Sequence, residues 1–312
     1  MAKQAVLLLA HGTPETVEQI PEYLSNVTGG RPLPQHVVEE IQRRYALIGH
    51  SPLTEITVEQ GRLVEAELAT GGEHIPVYVG MRNWSPYIAD VVRQMRADDV
   101  EEAAVLCLAP QNSRTSVGLY RQAVETSDLR IDFTAGWAQH PLLIEAFAER
   151  LRPAWTRLSA EVGAPVPVLF TAHSVPIRTI QASEGQAADP YAEESLRTAS
   201  LVAASLPEIP RRFFAFQSQG ISGGPWIGPT VEQTLESIAA SGARTVLLQP
   251  IGFLCDHLEI LYDVDIHFRE FAATLNLRLE RPESLNASAT LARAVADLAR
   301  QGLKRLVRRG SS

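Results

Sequence analysis

One rhythm runs through the chain twice. Apolar runs of strand length alternate with helix-length stretches, and the order of events between residues 5 and 136 returns between 166 and 280. Ala5-Val6-Leu7-Leu8-Leu9-Ala10 closes on His11-Gly12-Thr13-Pro14, and Val166 to Thr171 closes on Ala172-His173-Ser174-Val175-Pro176. Each is a strand ending in Ala-His-x-x-Pro. Later in each half a strand leads to a loop with Trp and Pro, first Trp84 and Pro86, then Trp226 and Pro229. Later still a strand ends at Pro110 or Pro250. Strands alternating with helices predict parallel sheets joined by right-handed crossovers. The doubled order predicts two related α/β domains, 1–143 and 144–286, facing each other across a cleft. A last helix at about 287–309 is expected to pack back onto the first domain.

The helical patterns fall at about 15–27, 35–48, 54–70, up to 97, 115–127, 141–162, 190–205 and 229–241. Further strands are expected at 76–80, 103–108, 131–136, 213–217, 244–251 and 276–280. A chain of 312 residues with 45% hydrophobic content can fill two cores. A net charge of −8 without a long basic run argues against nucleic acid as a partner. Lys304-Arg305-Leu306-Val307-Arg308-Arg309 reads as the solvated end of the last helix, where cations suit the helix dipole. Cys107 and Cys255 are the two cysteines, too few for a disulfide framework or a four-cysteine iron–sulfur site. The apolar run at 5–10 is too short for a signal peptide, and no stretch is long enough to span a membrane. A cytoplasmic protein, acting as a monomer, is expected.

The stretch from Gly252 to His267 carries the most chemistry. It follows the apolar strand Thr245 to Ile251 and turns into a helix expected to start near Asp256, a good N-cap residue. Glu259, Asp263 and His267 recur every four positions and so share a helical face. Their oxygen and nitrogen donors suit a divalent metal, and they lie beyond the carboxyl end of a strand, where open α/β sheets bind ligands. The plain alternative is a solvated acidic face, but Leu258, Ile260, Leu261 and Ile266 are too apolar for that. His257 is expected to orient a neighbouring carboxylate rather than to ligate.

These residues resemble the signatures of the ferrochelatase family, which inserts ferrous iron into a porphyrin. Leu169 to Pro176 is similar to its strand-plus-histidine motif, and Gly252 to Tyr262, centred on Asp256-His257-Leu258-Glu259, to its second signature. Gln217 to Gly220 with Pro225 to Pro229, Ala10 to Pro14, Arg44-Tyr45 with Gly49 to Leu53, Gly80 to Arg82 and Leu108 to Gln111 fit in order. The resemblance implies two Rossmann-like domains with a porphyrin cleft between them. It implies His173 and Glu259 as the catalytic pair, with Asp263 and His267 extending a metal path outward. Ferrous iron is then a substrate, and no prosthetic group is expected. Porphyrin contacts are expected from His11, Thr13, Arg31, Arg44 and Ser51, and from Met81, Arg82, Ser113, Tyr120 and Trp226. A transient contact with the next enzyme of the haem pathway also follows.

Metal insertion needs two pyrrole protons removed and iron delivered partly dehydrated. A neutral imidazole at His173 can accept a proton or ligate iron. A single nitrogen–oxygen pair leaves most coordination positions open, as a transfer site requires. His267 stands where relatives often have Glu, which softens the outer position toward Zn²⁺ or Ni²⁺. His11 stands where many relatives have Tyr, and is expected to bind the iron of the product. The short loop between Arg44 and Pro52, and the lack of an apolar lip after Pro14, resemble relatives acting on coproporphyrin III. The alternatives are a protoporphyrin IX ferrochelatase, a sirohydrochlorin cobalt or nickel chelatase, and a haem carrier without activity. Intact His173 and Glu259 oppose the carrier.

Overall fold

The computed structural model describes residues 2–72, 74–125, 128–182, 185, 187–220 and 224–310. The end of the helix expected at 115–127 and parts of the loops at 177–189 and 220–228 lie outside the described residues. The apolar runs form two four-stranded parallel sheets. The first holds β1 (Gln4–Ala10), β2 (Val77–Met81), β3 (Glu102–Cys107) and β4 (Arg130–Thr134) in the order β2-β1-β3-β4. The second holds β5 (Val168–His173), β6 (Arg212–Gln217), β7 (Thr245–Pro250) and β8 (Arg278–Glu280) in the order β6-β5-β7-β8. The two orders are the same order, so β1 corresponds to β5 and the two Ala-His turns occupy equivalent places. Each second strand is also followed by a cis prolyl bond, Ser85-Pro86 and Gly228-Pro229.

The helices of the first half are α1 (Ile20–Thr28), α2 (Gln35–Ile48), α3 (Leu53–Thr70), α4 (Ile88–Ala97) and α5 (Val117–Glu125). A 3₁₀ turn, Val17–Gln19, begins what the periodicity reads as one helix from 15. Pro21 then sits in the first turn of α1, where a missing N–H costs nothing. The long α6 (Pro141–Val162) crosses from one sheet to the other. In the second half come α7 (Ile177–Ile180), α8 (Tyr191–Ala204), α9 (Val231–Ala240), a ten-residue π-helix Glu259–Phe268, α10 (Arg269–Thr274) and α11 (Ala289–Gly310).

Side chains of a strand alternate between faces. In β1, Val6 and Leu8 enter one cluster, while Ala5, Leu7 and Leu9 enter another. In β5, Val168 and Phe170 join the cluster of Val6 and Leu8, while Leu169 faces away. The inner faces of both sheets therefore share one core, filled by α6, α8 and α11. Each fully buried Leu, Val or Phe in it contributes about 1.5–3 kcal/mol.

Helix α11 packs on the first sheet. Gly302 lies so close to Ala104 that an added Cβ would stand 3.0 Å from the alanine Cβ. The basic end of α11 is not simply solvated, as its charge alone suggests. Arg305 Nη2 donates to the buried Asp132 carboxylate of β4 at 2.6 Å, and Arg309 stands 3.5 Å from the same group. No helix among the described residues is long and apolar enough to cross a membrane.

Candidate active site

The carboxyl ends of both sheets open onto one cavity of about 420 Å³. Ala10, His11 and Thr13 line it after β1, and Arg82 does so after β2. His173 to Pro176, Gly252 to Cys255 and His257 to Glu259 close it from the second half. Two glycines make this approach possible. Gly12 has φ +78°, and a Cβ there would lie 2.7 Å from Met81 Cβ, so only glycine turns the chain cleanly after His11. A Cβ at Gly252 would stand 3.1 Å from Ala172 Cα, so glycine lets the segment after β7 lie against the end of β5.

His173 is the last residue of β5 and Glu259 the first of the π-helix. Nε2 of His173 stands 3.4 Å from Oε1 of Glu259, and both side chains are about one-third exposed, His173 at 31% and Glu259 at 33%. His173 Nδ1 donates to the Ser174 carbonyl. Burial works against the imidazolium, but the charge and hydrogen bond of Glu259 outweigh it and raise the His173 pKa. Burial likewise disfavours the Glu259 carboxylate, and the histidine charge overcomes it, holding that pKa below the usual range. Glu259 Oε2 is buried without a hydrogen-bond partner among the described residues. That leaves a carboxylate oxygen with a free lone pair at the floor of the cavity.

The helix starts at Leu258, not Asp256. Asp256 does not cap it. Its carboxylate accepts from Ser284 and Asn286 and pairs with Arg281 at 3.0 Å. Arg281 also bridges to Asp265 of the π-helix, so this network anchors the helix from the side. π-helical stretches are rare and favour functional sites. His257 Nδ1 donates to the Cys255 carbonyl, 3.1 Å away, and the ring packs on Phe253. Burial lowers its pKa and so favours the neutral ring.

Asp263 and His267 do not join His173 and Glu259 in one cluster. Asp263 is bonded by Ser218 and lies 3.5 Å from Arg44 across the cleft; burial and Glu259 push its pKa up to about 6. His267 is at the surface, 3.3 Å from Glu232 of α9. Among the described residues no three His, Cys, Asp or Glu side chains form a ready cage for a metal.

Of the expected porphyrin contacts, His11, Thr13, Arg82, Ser113, Tyr120 and Trp226 line the cavity. Arg82 stands over the Tyr120 ring at 5.3 Å, and its buried Nε has no partner among the described residues. Thr13 Oγ1 is likewise buried without one. Arg31, Arg44, Ser51 and Met81 are not among the lining residues. Arg31 bonds its own helix end at Thr28, Arg44 stacks on Tyr262 at 4.8 Å, and Met81 is core beside Ala10, Leu53 and Cys255. Ser51 is buried, and its hydroxyl has no hydrogen-bond partner among the described residues. Trp84 is core, edge-on to Tyr23.

His11 faces the cavity as a neutral ring. Burial first, then the Arg82 charge, bring its pKa down to about 3. Tyr23 OH lies 2.9 Å from Nε2, and Asn83 Nδ2 lies 3.1 Å from both ring nitrogens. Tyr23, Tyr45, Tyr191, Gln60 and Gln111 also line the cavity and were not expected. Tyr45 and Gln111 lie inside the motifs quoted above, so their signal was present. Tyr23 sits on an amphipathic helix, where an aromatic reads as core.

A ferrochelatase family profile matches residues 3–303. A ferrochelatase of Acidobacterium capsulatum is 55% identical, covering 97% of this chain and 96% of that protein. A coproporphyrin III ferrochelatase of Mycolicibacterium vanbaalenii is 36% identical, covering 96% and 89%. Among solved structures, the sirohydrochlorin chelatase SirB from Bacillus subtilis subspecies spizizenii, in complex with cobalt, is 11% identical and superposes with a TM-score of 0.55, covering 96% of this chain and 94% of that one. That likeness shows the shared two-sheet fold.

Proposed function

The chain belongs to the ferrochelatase family, enzymes that insert iron into a porphyrin in haem biosynthesis, and we propose that this member acts on coproporphyrin III with His173 and Glu259 as its catalytic pair. The observation that supports a carboxylate-bearing porphyrin is Arg82. Arg82 lines an otherwise largely apolar cavity with no acidic partner among the described residues, and the Thr13 hydroxyl in the same lining is also without a hydrogen-bond partner among them. Leaving such groups unmatched is costly, and a carboxylate-rich ligand would satisfy them. The relative named for coproporphyrin III favours the tetracarboxylate over protoporphyrin IX.

In the resting pair Glu259 is charged and favours the protonated form of His173. The free Oε2 of Glu259 meets the arriving ferrous ion. The cation then takes over the carboxylate that held the histidine proton, the His173 pKa falls, the ring gives its proton to solvent, and the neutral imidazole accepts a pyrrole proton. His173 passes the first pyrrole proton to solvent and takes the second in turn, so two protons leave the macrocycle as one Fe²⁺ enters and charge balances without a redox step. His11, neutral across the working pH range, ligates the product iron from its side of the cleft, at the cost of its bond to Tyr23 or Asn83.

The test is iron insertion into coproporphyrin III and protoporphyrin IX, with and without detergent. A higher kcat/KM for coproporphyrin III in both conditions is expected. Equal or reversed values would overturn the substrate assignment and leave the family membership intact.

A further inference from the structure

His173 ends β5, so its carbonyl lies where the strand ladder stops. The hydroxyl of Tyr191, on the first turn of α8, donates to that carbonyl at 2.9 Å. The next N–H, of Ser174, donates to the Gln217 carbonyl at 2.6 Å. One peptide plane is thus pinned at both ends. The Ser174 carbonyl just beyond it receives His173 Nδ1, which leaves Nε2 aimed at Glu259.

Tyr191 is held in turn from the other half of the molecule. Asp189, with its carboxylate 1% exposed, accepts from the Tyr191 N–H at 3.0 Å and from the Arg114 N–H at 2.7 Å. Arg114 lies between β3 and α5 of the first half. Its guanidinium donates to the carbonyls of Thr179 and Ala187, which bracket the segment running from α7 toward Tyr191. The phenol ring itself lines the cavity.

We propose that Tyr191 is a positioning residue for His173, and that Arg114 and Asp189 lock it in place across the cleft. The inference rests on His173 being the catalytic base. The hydroxyl fixes the backbone that presents the imidazole, so its loss lets the ring wander from the line between Glu259 and the macrocycle. Small misplacements of a reacting group carry large rate costs.

Tyr191→Phe deletes the hydroxyl and keeps the ring, the packing and the cavity wall. On samples matched for folded fraction by circular dichroism, kcat for iron insertion is expected to fall about tenfold, with KM for the porphyrin within about twofold. Asp189→Asn, which sets an amide N–H₂ or a neutral oxygen against two N–H donors, is expected to give a similar kcat loss. The double variant should be no slower than the slower single, because both act through one path. Wild-type kcat in Tyr191→Phe, a change confined to KM, or losses that multiply in the double variant would each overturn the proposal. His173→Ala is assayed alongside. If it retains turnover, the catalytic assignment itself fails. If it is inactive while Tyr191→Phe is wild type, only the positioning role fails.

Discussion

Nε2 of His173 and Oε1 of Glu259 stand 3.4 Å apart, and each holds the other in its charged form. The sign of the pH dependence follows. The histidine pKa is raised above its ordinary 6.5, so its share of the pair's stability is full below that value and is lost as pH rises through the folded pKa. The glutamate pKa is depressed, so its share is present above the ordinary carboxylate value and is lost as pH falls through the folded pKa. The apo protein should therefore show a His173 ring titration by NMR with a midpoint above 6.5. In Glu259→Gln burial is opposed only by the Ser174 carbonyl and the Asp263 charge, and the midpoint should fall from its wild-type value. An unmoved midpoint in that variant would mean that the carboxylate does not govern the imidazole.

His173→Ala should abolish insertion while porphyrin affinity stays within about tenfold, or 1.4 kcal/mol. The macrocycle is held by the cavity walls, and His173 handles protons and metal. Glu259→Gln should impair insertion far more than Asp263→Asn or His267→Ala at saturating iron. Glu259 alone of the three lines the cavity; Asp263 is tied to Ser218 and Arg44, and His267 faces Glu232 at the surface. Equal losses in all three variants would show that the outer groups belong to the chemical step.

The doubled Ala-His-x-x-Pro turns were enough to foresee two parallel sheets, because apolar runs and turn residues are local signals. They place His11 and His173 at equivalent strand ends, and the matching strand orders bear this out in space. The start of the Gly252–His267 helix was misread. Asp256 has the side chain of a cap, but three distant partners (Arg281, Ser284 and Asn286) claim it, and no local pattern reports such partners. Spacing by four put Glu259, Asp263 and His267 on one face, yet could not tell that only the first reaches the cavity. The Arg82 and Thr13 orphans are likewise tertiary facts: each is defined by what fails to approach it.

Asp132 and Arg305 join the last helix to the first sheet. The carboxylate is 5% exposed, and removing its main partner leaves a buried charge poorly matched. Arg305 is itself 42% exposed and Arg309 stands close, so the cost is reduced. Arg305→Ala should lower stability by about 1–2 kcal/mol, read as a shift in denaturant midpoint at constant slope. Asp132→Asn in the same background should recover part of the loss, since it removes the stranded charge. A midpoint unchanged by Arg305→Ala would place the anchoring of α11 in its apolar packing alone.

The last prediction concerns the competition at His11. Both ring nitrogens already have partners at hydrogen-bond distance: Tyr23 at Nε2, and Asn83 beside both. Product iron must therefore displace a hydrogen bond to reach the ring, which weakens the ligand and favours release. Tyr23→Phe removes that rival and keeps the ring that packs edge-on to Trp84. Its product complex should show stronger axial histidine ligation by resonance Raman and slower release, by a few-fold, as expected for one neutral hydrogen bond of about 1 kcal/mol. His11→Ala should lose the axial signature and release product faster. If iron coordination and release are the same in wild type, Tyr23→Phe and His11→Ala, then His11 serves only to bind Tyr23 and Asn83 and never touches the metal.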